Sequence, residues 1–168
     1  MKIRQFLLLL VVGVSLLCSG CAPARSEMDY LLVGGRGEVT GEMRGMAFCA
    51  LVEIGEGGAW ARVEYLAPEA LKGMALAVEG EMCKVVLGDL NYTCAATEVE
   101  GFLQPVSVFL IKETAATVQK EGEDTTLTFP SGGKLILTSQ GEPLSFSCED
   151  IAVRVTWWQS GNAGVRSS

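Results

Sequence analysis

The C-terminal third of the chain alternates apolar and polar residues with a period of two, and this constrains the fold more than any other feature. Leu127 and Phe129 lie on one side, Thr126 and Thr128 on the other. Leu135 and Leu137 oppose Lys134 and Thr138. Leu144, Phe146 and Cys148 oppose Ser145 and Ser147, and Ile151, Val153, Val155 and Trp157 oppose Ala152, Arg154 and Thr156. Successive side chains on a strand point to opposite faces, so the pattern predicts half-buried antiparallel strands sharing one apolar face. It turns Trp157 inward and Trp158 outward, where an exposed indole is available to a membrane or a partner. Pro130 to Gly133 predicts a turn. A three-residue loop, Ser131 to Gly133, sets Phe129 opposite Leu135 and Leu127 opposite Leu137.

The same reading places earlier strands near 37–43, 45–54, 59–66, 74–79, 83–87, 90–94 and 116–121. Gly55 to Gly58 reads as a turn, and Ala67 to Leu71 as one short helical turn. Residues 103–114 are ambiguous, because Val106, Val108 and Leu110 alternate as in a strand. Pro105 suits the first turn of a helix, and Leu103, Val106 and Leu110 then share a face with Phe109, so a helix is expected. The expected class is mainly β: a curved antiparallel sheet or half-barrel with one or two helices on its concave face.

In "CKVVLGDLNYTC" (83–94), Gly88-Asp89 fits a two-residue hairpin turn with glycine first. Leu87 then faces Leu90, Val85 faces Tyr92, and Cys83 falls opposite Cys94, all on one apolar face. Opposed residues lie within reach of a disulfide. A pair of free, core-packed thiols is the other outcome, and a four-residue loop would pair Cys94 with Val85 instead.

The N-terminus has a different character. Lys2 and Arg4 precede an apolar run from Phe6 to Leu17, followed by the small residues Ser19 and Gly20. That is the order of a secretory signal, and the run is short of the ~20 residues that span a bilayer. The segment resembles the lipobox of bacterial lipoproteins. The resemblance implies cleavage before Cys21, attachment of a diacylglyceryl group to its sulfur, and acyl chains such as palmitate holding the protein extracytoplasmically on a membrane. Cys18 stands where that pattern usually has leucine. The expected organisation is therefore a signal peptide at 1–20, a lipidated N-terminus and tether at 21–36, a β domain at 37–158 and a disordered tail at 159–168.

Charge and residue types exclude several functions. Loss of Lys2 and Arg4 with the signal takes the net charge from −7 to −9, a balance that repels phosphate backbones and disfavours nucleic acid. The sequence has no histidine, which removes Ser-His-Asp and Cys-His catalysis and histidine zinc sites. The cysteines left after the anchor, Cys49, Cys83, Cys94 and Cys148, form no CxxC pair, and no calcium loop or cofactor motif is present. Glu98 with Glu100, Glu121 with Glu123 and Asp124, and Glu149 with Asp150 read as solvated turns and strand faces rather than catalytic pairs. Gly34-Gly35-Arg36-Gly37 lacks the Lys-Ser/Thr of a phosphate loop and reads as a turn leading into a strand.

The segments "RVEYLAPEALKGMALAVEG" (62–80), "CKVVLGDLNYTC" (83–94) and "SGGKLILTSQGEPLSFSCEDIAVRVTWW" (131–158) together resemble the LolA-like superfamily. That resemblance implies an antiparallel half-barrel wrapped around helices and a role in binding acyl chains on the concave face. The usual long N-terminal helix is missing; only Met28 to Val33 could supply a short one. Two functions follow. One is a non-catalytic, membrane-tethered domain holding a lipid, acyl chain or other apolar ligand against Leu127, Leu135, Phe146, Val153 and Val155. The other is an envelope protein–protein interaction module whose core is filled.

Overall fold

The computed structural model describes residues 28–111, 115 and 117–161. Eleven strands form one open antiparallel sheet: β1 (Gly35–Met43), β2 (Met46–Ile54), β3 (Trp60–Ala67), β4 (Ala75–Glu79), β5 (Met82–Leu87), β6 (Leu90–Ala95), β7 (Thr117–Glu121), β8 (Asp124–Thr128), β9 (Lys134–Leu137), β10 (Pro143–Cys148) and β11 (Ile151–Ser160). Two helices accompany them, α1 (Asp29–Val33) and α2 (Glu100–Ser107). The spatial order is β6-β5-β4-β3-β2-β1-β11-β10-β9-β8-β7. Two up-and-down meanders are thus joined where the first strand pairs with the last. The mainly β, curved antiparallel fold expected from the sequence is the one found.

One face of the sheet carries continuous apolar rows that the register defines. Tyr92, Val85, Leu76, Val63, Val52 and Gly37 follow one another across β6 to β1, and the row ends on Trp158 of β11. Farther along the strands, Val153, Phe146, Leu135 and Leu127 line up and end on Val118 of β7. Over this face runs the connection from β6 to β7. A 3-10 turn, Ala96–Val99, leads into α2, and the Glu98 carboxylate accepts a hydrogen bond from the Ala95 N–H at 3.2 Å. The chain leaves α2 above β2 and β3 and rejoins the sheet as β7 at its far edge, so it crosses the concave side. Leu103, Val106, Val108 and Phe109 are buried there in one core with the strand residues.

Several local expectations are corrected. The helix spans 100–107 rather than 103–114, and Pro105 sits inside it. The bond its missing N–H would make goes to Gly101, which is exposed and open to water. Leu127 faces Leu135, not Leu137, because Phe129 leaves the ladder. It turns into the core, closing a wider turn through Phe129 N–H to Gly133 O at 2.9 Å. A register shift around Leu144 breaks the β10 pattern and leaves Leu144 half-buried, and Cys148, the last residue of the strand, is exposed. The β1–β11 register shifts between Glu38 and Val39, leaving Thr156 as the extra residue. A bulge reverses which face later residues take. Trp157 is therefore exposed and Trp158 faces inward, opposite to the simple alternation. Gly34 caps α1, and Gly35, Arg36 and Gly37 belong to β1 rather than to a turn. The folded unit is also wider than 37–158: α1, Gly35 and Arg36 precede it, and Gln159 and Ser160 complete β11.

Candidate binding face

At the centre of the concave face the glycines of β1 leave a trough. A Cβ at Gly35 would lie 2.7 Å from the Trp158 ring, and one at Gly37 equally close. Trp158 lies in that trough. Tyr30 of α1 meets it edge-on with ring centroids 5.9 Å apart, and Phe109 at 6.3 Å. The Tyr30 hydroxyl donates to the Phe109 carbonyl at 2.8 Å, and burial raises its pKa well above the ordinary phenol value. This aromatic cluster fastens both the N-terminal segment and the crossing connection to the sheet. The sequence reading missed it. The signal was present in the glycines at every second position of 35–37, which mark a strand that another ring approaches closely.

Leu127, Leu135, Phe146 and Val153 are buried in the core, in the row that the register defines, and Val155 is half-buried beside them. Cys21 lies outside the described residues.

The apolar rows continue beyond α2 toward the β6 edge, and there they are open. Leu87 is 38% exposed, Leu90 64%, Tyr92 50% and Phe102 of α2 40%. Leu87, Leu90 and Tyr92 share one face of the β5–β6 hairpin, whereas Phe102 stands on α2, which packs on β2 and β3. The Phe102 carbonyl accepts a hydrogen bond at 3.0 Å from the hydroxyl of Tyr65, whose backbone N–H bonds Met74. Leu87 stands opposite Leu90 at the turn of the β5–β6 hairpin. Burial pushes the Tyr65 phenol up to about 12.

The β5–β6 hairpin has the expected register, with Leu87 opposite Leu90, Val85 opposite Tyr92 and Cys83 opposite Cys94. Gly88 takes φ +57° at the first turn position, where a side chain would be strained. Both cysteines are free thiols. Cys83 is buried, and its thiol is held above the usual range by desolvation first and by Cys94 second.

Among the described residues no set of three His, Cys, Asp or Glu is placed to hold a metal, and no helix is long and apolar enough to cross a bilayer. No family model and no curated protein matches the sequence. Solved structures do match in fold. A LolA superfamily protein from Nitrosomonas europaea is 9% identical over 82% of this chain and 92% of its own, with a TM-score of 0.40, too loose a superposition to argue from. An uncharacterized conserved protein from Thermus thermophilus is 14% identical over 84% of this chain and 89% of its own, with a TM-score of 0.54. MucB is 15% identical over 88% of this chain, with a TM-score of 0.51. The chain shares the fold of these last two structures. This chain spans 62% of MucB's length. At such identities the resemblance is one of architecture, and ligand and partner have to be argued from the residues themselves.

Proposed function

We propose that this chain is a non-catalytic, membrane-tethered, extracytoplasmic interaction domain that engages its partner through the open apolar margin beside β6 rather than by enclosing a ligand. The observation that carries this is the contrast between the two ends of one face. Leu127, Leu135, Phe146 and Val153 are packed into the core, whereas Leu87, Leu90 and Tyr92 stand exposed on one face of the β5–β6 hairpin. Apolar side chains grouped on a surface are costly to solubility and mark contact sites. The tether is the lipidated segment from Cys21 to residue 27, ahead of α1.

A second reading, an acyl-chain carrier, is favoured by Gln104 of α2. Its side-chain oxygen is buried and has no hydrogen-bond partner among the described residues, and a hydroxyl or amide of a lipid would supply one. Native mass spectrometry of the protein purified from its own membrane separates the two. A chain carrying only its covalent lipid supports the interaction domain. A retained, non-covalent lipid refutes it in favour of the carrier.

A further inference from the structure

The sheet has two edges, and they are unlike. On β7, Lys120 lies on the same inward row as Leu137, and Glu121 and Asp124 close the hairpin. An inward-pointing charge blocks strand addition. On β6 the inward residues are Leu90, Tyr92 and Cys94, and the outward ones Asn91, Thr93 and Ala95, none of them charged.

The backbone of β6 is available as well. A two-residue turn makes Leu87–Leu90 a hydrogen-bonded pair, and alternation makes Val85–Tyr92 and Cys83–Cys94 the next ones. The main-chain groups of Asn91, Thr93 and Ala95 therefore face away from β5. Ala95 N–H is already taken by Glu98. Asn91 and Thr93 offer two donors and two acceptors at the open edge.

Charge around this edge selects the occupant. Asp89 sits at the hairpin tip, and Glu79, Glu81, Glu98 and Glu100 gather at the other end of β6; all are exposed. Lys84, opposite Thr93, is the nearby base, since Lys72 pairs with Glu69 at 3.5 Å. A second copy pairing antiparallel through β6 would bring Asp89 of each protomer toward Glu98 and Glu100 of the other, like charge against like.

We infer that β6 accepts an added strand from a different polypeptide, an extended segment with apolar residues at alternate positions and Lys or Arg at its ends. This rests on the interaction-domain reading above and specifies its geometry. The added strand bonds Asn91 and Thr93, its apolar side chains cover Leu90 and Tyr92, and its basic ends meet the carboxylates.

The test uses the full mature chain and two synthetic peptides, each four Val-Thr repeats, one flanked by paired lysines and the other by paired glutamates. Site-resolved amide exchange and binding are measured together. The lysine peptide is expected to slow exchange at Asn91 and Thr93, to bind about tenfold more weakly when salt rises from about 50 to about 300 mM, and to bind at least about tenfold more tightly than the glutamate peptide. Thr93→Pro removes an outward donor without touching the β5 ladder and is expected to abolish protection at Asn91. Tyr92→Ser, which keeps every backbone group, is expected to weaken binding about tenfold. Unchanged exchange with the lysine peptide overturns the proposal, as does equal binding of both peptides or binding that survives Thr93→Pro. Concentration-dependent protection without peptide overturns it in favour of a second copy. A lipid-free chain with unprotected Asn91 and Thr93 refutes strand addition alone, whereas a retained lipid refutes the reading beneath it.

Discussion

Replacing Gly35 by alanine tests whether the β1 trough is shaped for Trp158. The new methyl would meet three atoms of the indole at 2.7 to 2.9 Å. Gly35 does not have a positive φ, so backbone strain contributes nothing and the cost is steric. The ring has little freedom to retreat, because Tyr30 and Phe109 hold its other side. Overpacking of this kind costs about 1–3 kcal/mol. For a domain of this size that is a fall in Tm of roughly 4–12 °C. Gly101→Ala is the matched control: nothing lies within 4 Å of its Cβ, and it stands in α2. There alanine is expected to stabilise by about 0.5–1 kcal/mol. The same chemical change is thus expected to have opposite signs at two sites. Thermal denaturation of both variants measures it, with near-ultraviolet circular dichroism following the indole environment. Trp158→Leu closes the cycle: combined with Gly35→Ala it should be less destabilised than the two single costs added, by about 1 kcal/mol or more. Gly35→Ala as stable as the parent, or strict additivity with Trp158→Leu, would refute the close-packed trough.

Other perturbations check the register, the buried phenols, the thiols and the anchor. Val153→Asp should cost several kcal/mol by urea denaturation while Arg154→Asp stays near neutral, because the two face opposite sides of β11 and only Val153 is buried; equal tolerance would mean a reversed register. Above about pH 10 the unfolded tyrosines release protons that folded Tyr30 and Tyr65 retain, so stability should fall with rising pH. Tyr30→Phe should flatten that fall. A mild disulfide-bearing oxidant should link Cys83 to Cys94, each thiol losing a hydrogen to the reduced oxidant, and peptide mapping should find this bond ahead of any to Cys148; thiols alkylating independently in the folded chain would count against it. Cys21→Ala should abolish labelling by a fatty-acid analogue and leave a slower-migrating precursor, while persistent labelling lost only in Cys18→Ala would move the anchor to Cys18.

The strands were legible because alternation reports burial directly: Val153 and Arg154, or Val85 and Lys84, differ in character as they differ in side. The β5–β6 register was legible too, since Gly88-Asp89 leaves a short turn little choice. Failures came where one residue departs from the ladder. Phe129 gains more by entering the core than by pairing, and that gain depends on neighbours distant in sequence, such as Phe146. The extra residue at Thr156 is a polar residue like others on its strand, yet it reverses Trp157 and Trp158. The open margin was half legible. Leu87, Leu90 and Tyr92 were correctly placed on one face, but their exposure depends on where α2 stops covering the sheet, and no periodicity within β5 or β6 records that.

The pairing of β1 with β11 has a consequence for how the molecule is made. Each meander is built from neighbours in sequence and could form as its own segment emerges, but β1 must wait for the final strand before its second edge is covered. Until residues 151–160 arrive, the nascent N-terminal half carries a bare edge and an unfilled trough, since Trp158 comes with that last strand. Completion of the sheet thereby waits for residues 151–160. Once it is complete, the chain enters and leaves the folded unit at one place, with Gly161 N–H bonded to Gly34 O at 3.4 Å, so segments joined at its two ends start out side by side.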